Sequence, residues 1–231
     1  MSEKLIHFKE QEKILAAQKA VSLVKEGDIV GLGTGSTATY AIQELANRIK
    51  DGLNVTGVCS SLKTEQLAMA ADIPILALDK AAYINISIDG ADEFTEELHL
   101  IKGGGGALFR EKIVASLSEN SIIITDFSKK VKQLGAFKVP IEIIPIAYTY
   151  VVKQLEKLHG IVSLRYTDDA IFITDNQNFI VDVDFGLITN VSELAAELNQ
   201  IDGLLAHGLF VNLTSKVIMA KGEQLYFYDV K

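Results

Sequence analysis

Cysteine is almost absent from this 231-residue chain, in which Cys59 stands alone. A lone thiol excludes an internal disulfide framework and any multi-cysteine zinc site, and it fits a reducing compartment, so the cytoplasm is expected. No apolar run approaches the ~20 residues that a membrane span requires, so no membrane partner is expected. The opening MSEKLIHFKEQEK is too polar for the apolar region of a secretory signal, and the mature chain is expected to begin near Met1. Positive charge is in deficit: 22 Lys and Arg face 30 Asp and Glu, a formal net charge of −8. That is the wrong sign for a nonspecific phosphate-backbone binder, and nucleic acid is not an expected partner. Histidine is also sparse, and His7, His99, His159 and His207 show no HxH or HExxH spacing that would hold a metal. What remains is an ordinary globular composition, 48% hydrophobic and 23% charged, with length for one large domain or two small ones.

The first half alternates helical and strand patterns, as a parallel sheet covered by helices does. Ile14, Ala17, Val21 and Val24 recur at helical spacing until Glu26-Gly27-Asp28, and Ile29 to Leu32 reads as a buried strand. Further strands are expected at Val55 to Cys59, Ile75 to Leu78, Ile84 to Ile88 and Ile122 to Thr125, with helices at Leu62 to Ala71 and Ala107 to Leu117. After Lys132 the order becomes strand (Val139 to Ile143), helix (Tyr148 to Leu158), strand (Val162 to Tyr166), strand (Ile171 to Thr174 or Phe179 to Val183), helix (Val191 to Asn199) and strand (Leu204 to Gly208). The pattern predicts an α/β fold. A Rossmann-like parallel-sheet domain, 1–133 completed by 209–231, carries a smaller ferredoxin-like α+β lid, βαββαβ, over 134–208. Lys216 to Tyr228 reads as two strands around Lys221-Gly222-Glu223, able to return to the first sheet.

Three constellations carry candidate chemistry. The first, Gly33-Thr34-Gly35-Ser36-Thr37, lies between the strand ending at Leu32 and the apolar stripe Ala38, Ala41, Ile42, Leu45 and Ile49. Glycine amides, hydroxyls and a helix N-terminus converge there on an anion. A P-loop fails, because Gly35 stands where its lysine belongs, and a dinucleotide site lacks an acidic residue after Val58-Cys59-Ser60-Ser61. A monophosphate fits; a tight turn with Ser36 or Thr37 capping the helix is the plainer alternative. The second, Asp89-Gly90-Ala91-Asp92-Glu93, sets three carboxylates at the end of an apolar strand, where open α/β sheets bind ligands. It suits acid or base work, but also a magnesium site or a solvated turn capped by Asp92. In the third, Lys102 precedes four glycines, Gly103 to Gly106, and a helix bearing Glu111. The lysine and the glycine amides suit a developing oxyanion; a flexible linker with a surface Glu111 is the alternative. Cys59 reads as a small buried residue, since no histidine is near it in sequence.

Taken together and in this order, GTGST, DGADE and KGGGGALFREK resemble ribose-5-phosphate isomerase of the A type, over essentially the whole chain. Ser60-Ser61-Leu62-Lys63-Thr64 and Asp126-Phe127-Ser128-Lys129 are similar to that family too. The resemblance implies interconversion of D-ribose 5-phosphate and D-ribulose 5-phosphate in the pentose phosphate pathway, with no metal or organic cofactor. It implies a sugar-phosphate substrate as the small-molecule partner and assembly as a homodimer or homotetramer. Carried over by motif, Glu111 is the proton-transferring base, with Asp89, Asp92 and Lys102 as the other catalytic candidates. Thr34, Gly35, Ser36 and Thr37 line the substrate site; Asp89, Gly90, Ala91 and Asp92, with Lys102, Gly103, Gly104 and Gly105, surround the sugar. Lys129, and less distinctively Lys13, approach the phosphate. Gly106 stands where relatives often have alanine, a departure expected to loosen the loop. A sugar-phosphate-binding sensor on the same fold is the competing reading, opposed by the acidic charge and by a first helix that leads directly into the phosphate strand.

Overall fold

The computed structural model describes the backbone of residues 3–230 and the side chains of residues 8–230; Met1 and the His7 side chain lie outside the described residues. In chain order, α1 (Glu3–Val21), β1 (Ile29–Leu32), α2 (Ser36–Lys50), β2 (Thr56–Cys59), α3 (Leu62–Ala70) and β3 (Ile84–Asp89) lead into two short strands, β4 (Glu93–Phe94) and β5 (Leu100–Ile101). Next come α4 (Leu108–Leu117), β6 (Ser118–Asp126), β7 (Val139–Ile143), α5 (Tyr148–Lys157), β8 (Ile161–Leu164), and the small hairpin β9 (Tyr166–Thr167) and β10 (Ala170–Ile171). The chain ends through β11 (Phe179–Asp184), α6 (Val191–Leu198), β12 (Leu204–His207), β13 (Leu209–Phe210), β14 (Lys216–Lys221) and β15 (Gln224–Asp229).

The main sheet has the order β15-β14-β6-β3-β1-β2. Five strands are parallel, and β15 returns antiparallel on β14. Side chains alternate across a strand, so one face of the sheet presents Val30, Leu32, Ile86, Ile88, Ile122, Ile124 and Ile218 to α1 and α2. The opposite face presents Ile123, Val217 and Met219, which pack with Phe94, Leu100 and Phe210. The buried face of α1 is shifted from the expected stripe: Ala16, Ala17, Ala20 and Val21 are buried, with Val24 buried beyond the helix end, whereas Ile14 faces water. Small alanines let α1 lie close to α2, and Arg48 of α2 donates to the carbonyls of Val21 and Val24, satisfying the end of α1.

Residues 75–78 differ from expectation. Ile75 makes one isolated bridge to Gly57, and Leu78–Lys80 turns as a 3-10 helix. Two-residue stretches at β4, β5 and β13 form a three-stranded antiparallel sheet whose brevity leaves no periodicity to read. A second sheet, β12-β7-β11-β8, is antiparallel throughout and has the strand order of a split βαβ unit. Of the two candidate third strands it takes Phe179–Asp184. Its face bearing Ile141, Ile143, Val181 and Val183 is covered by α5 and α6. Its other face sets Ile180 and Ala206 on Leu108 of α4, bringing this sheet against the glycine-rich turn.

Candidate active site

GTGST and DGADE follow β1 and β3 where these parallel strands stop, and KGGGG follows β5 of the short antiparallel sheet, which brings Lys102 to the same cavity. β1 ends at Leu32 and the chain turns through GTGST into α2; Gly35 is the N-cap and no side chain caps the helix. Capping by Ser36 or Thr37 is therefore overturned, and the first-turn amides keep no side-chain acceptor of their own. The Thr34 hydroxyl lies 2.8 Å from that of Ser60, 2.9 Å from that of Ser61 and 3.2 Å from that of Thr64. Thr64 in turn donates to the Gly33 carbonyl at 2.8 Å, tying the turn to the start of α3.

Asp89 ends β3. Its Oδ1 accepts from the Thr34 N–H at 3.1 Å and the Gly90 N–H at 2.7 Å, and its Oδ2 lies 3.0 Å from Lys102 Nζ. Gly33 makes this contact possible, since a Cβ there would stand 2.1 Å from Asp89 Oδ1. The magnesium alternative does not fit the three carboxylates, because they diverge. Asp92 accepts from the Gly104 N–H at 2.8 Å, and Glu93 is buried with its oxygens on the Gly135 and Phe137 amides at 2.8 and 2.7 Å. Asp92 caps no helix either.

Lys102 follows β5, its backbone N–H bonded to the Gly208 carbonyl at 2.9 Å. Its ammonium donates to the Gly90 carbonyl at 2.6 Å and lies 3.4 Å from Glu111 Oε2. Glu111, in the first turn of α4, is 4% exposed and Lys102 3%, so the surface reading of Glu111 does not hold; nor do the glycines form a flexible linker, since the Gly106 N–H bonds to the Gly103 carbonyl at 3.0 Å in a closed turn. Glu111 Oε2 is buried and accepts no hydrogen bond. Burial raises its carboxyl to about 8; Lys102 opposes the rise, and Asp89 and Asp92 add to it. Burial pulls the Lys102 ammonium down, but Asp89 and Glu111 outweigh it and hold the charge above the usual lysine range.

A cavity of about 140 Å³ is lined by Thr34, Gly35, Ser36 and Thr37, by Gly90, Ala91 and Asp92, by Lys102, Gly103, Gly104 and Gly105, and by Glu111, Lys13 and Lys129. The sequence candidates are thus brought together, with Asp89 directly behind Lys102. Lys13 reaches Ser36 Oγ at 3.0 Å, and Lys129 closes the 3-10 turn after β6, where Asp126 accepts from the Ser128 N–H at 2.9 Å. Lys13, Lys102 and Lys129, from three segments, set positive charge against Asp89, Asp92 and Glu111. A larger cleft of about 460 Å³ opens at the amino ends of the same strands, beside Asp28, Asn85 and Glu119. It lies at the wrong end of the sheet for ligand binding and gathers none of the three motifs.

Gly106 does not loosen the loop. Its φ is +82°, and a Cβ would stand 2.3 Å from Cζ of Phe172, so glycine here admits an aromatic ring from the second sheet unit. Reading along the sequence also passed over Lys112 and His207. Lys112 Nζ donates to the His207 and Leu209 carbonyls at 2.7 and 3.0 Å and lies 4.9 Å from the Phe210 ring centroid, with Lys102 Nζ 5.5 Å from that centroid. Burial lowers Lys112 to about 8; burial and the Lys112 charge lower His207 to about 3, keeping the imidazole neutral. The available signal was adjacency: Lys112 follows Glu111, and His207 precedes the glycine on which Lys102 is hung. Cys59 is buried, and burial, then Glu65, push its thiol up to about 12, as a structural cysteine requires.

Residues 56–224 match the family model of ribose 5-phosphate isomerase A (phosphoriboisomerase A), a span that includes DGADE and the glycine-rich turn and begins after GTGST. The chain is 43% identical over 214 residues to the ribose-5-phosphate isomerase A of Sphingopyxis alaskensis, covering 93% of this chain and 94% of the relative. It is 45% identical over 208 residues to that of Bacillus mycoides, covering 90% and 94%. Its fold is similar to that of ribose 5-phosphate isomerase A from Methanocaldococcus jannaschii, with a TM-score of 0.91 and 40% identity over 95% of this chain and 99% of the other. It is similar also to a D-ribose-5-phosphate isomerase in complex with phospho-erythronic acid, with a TM-score of 0.92 and 36% identity over 96% and 99%. The chain belongs to the ribose 5-phosphate isomerase A family, a family of isomerases.

Proposed function

We propose that the chain interconverts D-ribose 5-phosphate and D-ribulose 5-phosphate through an enediolate, with Glu111 as the base that takes the C2 proton and returns it to C1. The observation that carries the reading is the Glu111 side chain: buried, on the cavity wall, with its Oε2 ion-paired to the Lys102 ammonium at 3.4 Å. A carboxylate lining the cavity can take a carbon-bound proton there, and its raised basicity suits the task near neutral pH. Negative charge then develops on the substrate's C1 and C2 oxygens. Lys102 stabilises it, helped by amides of the glycine turn, in a site already organised before reaction. Asp89, bonded to Lys102, moves protons during ring opening or between the two oxygens, and Asp92 orients hydroxyls. The phosphate sits among the GTGST amides, Lys13 and Lys129, and its binding holds C1 and C2 against Glu111.

The same reading takes 1–133 with 209–231 as the catalytic domain and 134–208 as a lid that also forms contacts between copies. Ile146, Ile161 and Leu187, 95%, 70% and 62% exposed, give that unit an apolar outer surface suited to a homodimer or homotetramer. No helix among the described residues is long and apolar enough to cross a membrane. A cytoplasmic enzyme of the non-oxidative pentose phosphate pathway is the corresponding physiological role, and the unpaired Cys59 supports a reducing compartment.

Ketose formation from ribose 5-phosphate by chelator-treated protein, measured beside Glu111→Gln, tests the reading. We expect turnover without added metal, and a loss of at least roughly 100-fold in a variant whose circular dichroism is unchanged, the lower range for a general base. Wild-type protein that binds the sugar phosphate without converting it would instead mark a sensor.

A further inference from the structure

Arg165 belongs to the second sheet unit, far in sequence from the three motifs, yet its guanidinium reaches the glycine turn. Nη1 donates to the Gly103 carbonyl at 3.0 Å and to the Gly104 carbonyl at 3.2 Å. The rest of the fork is held by Asp182 of β11: Nε donates to Oδ2 at 2.8 Å, and Nη2 pairs with Oδ1. Phe172, whose N–H donates to the Arg165 carbonyl at 2.9 Å, lays its ring 5.8 Å from the guanidinium carbon and against Gly106. One short segment therefore braces the turn at consecutive glycines.

A trans peptide directs its N–H opposite to its C=O. Between Gly103 and Gly104 the peptide is gripped at both ends, its carbonyl by Arg165 and its N–H by Asp92 at 2.8 Å. The next peptide is gripped at one end only. Its Gly104 carbonyl bonds to Arg165, while the Gly105 N–H has no partner among the described residues, and Gly105 lines the cavity. Fixing that carbonyl turns the Gly105 N–H away from Arg165, on a residue that lines the cavity. The turn around this peptide is closed by the Gly106 N–H on the Gly103 carbonyl at 3.0 Å, and Arg165 adds the bond to the Gly104 carbonyl inside it. We propose that Arg165 is a positioning residue for the isomerisation, acting through the Gly103–Gly104–Gly105 peptides to aim the Gly105 N–H at the oxygen where charge develops.

This inference rests on the isomerase reading, and the experiment separates the two. Arg165→Met and Arg165→Lys are compared with wild type in steady-state turnover of ribose 5-phosphate. The same proteins are titrated with phospho-erythronic acid, whose carboxylate presents charged oxygen at the end opposite its phosphate, and with inorganic phosphate. Lysine keeps the charge but not the planar fork, so it cannot hold Asp182 and both carbonyls together. Removing an oxyanion donor outright costs about 10²–10³ in kcat, and misdirecting one should cost about tenfold in both variants, with KM little changed. Phospho-erythronic acid should weaken by a similar factor while inorganic phosphate keeps its affinity. A wild type that converts ribose 5-phosphate, beside variants with unchanged kcat and unchanged phospho-erythronic acid binding, overturns the inference alone. So does an equal loss for both ligands, which marks general damage to the site. If Arg165→Met does not fold, Arg165→Lys carries the same comparison. A wild type that does not convert the sugar phosphate overturns the isomerase reading and this inference with it.

Discussion

At the GTGST end of the cavity the side chains are exposed or half-buried and are held by hydroxyl contacts, whereas at the Glu111 end Asp89, Lys102 and Glu111 are nearly sealed from water. The first end offers amides, hydroxyls and half-buried lysines, suited to an anion that arrives hydrated and must leave again. At the second end, charges pulled out of water perturb one another strongly, and the Glu111 carboxyl moves well above its usual range. In the proposed reading binding and proton transfer need opposite surroundings, and the two ends lie together because β1 and β3 end side by side.

The sharpest way to break this contrast is Lys102→Met. Losing the cation that faces the developing charge should lower kcat by about 10²–10³. It also leaves Asp89 and Glu111 buried without their partner, which should destabilise the fold by about 3–5 kcal/mol in a denaturant titration. The pH dependence comes next. As the proposed base Glu111 must be ionised to act, so log kcat/KM should fall by about one per pH unit as pH drops below its raised pKa, far above the ordinary carboxylate range. Stability should run the other way. A carboxyl whose folded pKa lies above its unfolded value contributes stability that is complete below the unfolded pKa and lost as pH rises through the folded one. Relative to Glu111→Gln, wild-type protein should therefore lose stability from about pH 4.5 to about pH 8, while its activity climbs. An acid limb at an ordinary carboxylate pKa would remove Glu111 from the role. The smallest effect is expected at the open end, where Lys129→Ala should raise KM about tenfold and leave kcat nearly unchanged. A fall in kcat as large as that of Lys102→Met would show that the two ends are not separable.

Much of this contrast was legible in the sequence, because short motifs following apolar strands fall at one edge of a parallel sheet. GTGST and DGADE occupy such junctions, KGGGG follows β5 of the short antiparallel sheet, and residues of all three line one cavity. What stayed hidden depends on contacts between distant segments. Whether Glu111 was a surface residue could not be read locally; it is buried because Ile180 and Ala206 of the second sheet pack on Leu108, one turn away. Gly106 read as looseness because Phe172 lies in a hairpin with no local link to it. Arg165 was silent for the same reason, and Ile75 to Leu78 had strand composition but only one bridge to support it.

The position of β14 bears on how the chain is made. β6 lies between β3 and β14, so the sheet keeps an unpaired hydrophobic edge from Asp126 until Lys216 to Lys221 have been synthesised. At ~5–20 residues per second, the roughly 90 intervening residues hold that edge open for about 5–20 s on the ribosome. An open edge of Ile122, Ile123 and Ile124 is a template for pairing with another nascent chain. Aggregation during expression should therefore respond to changes in β14 more than to changes in the site.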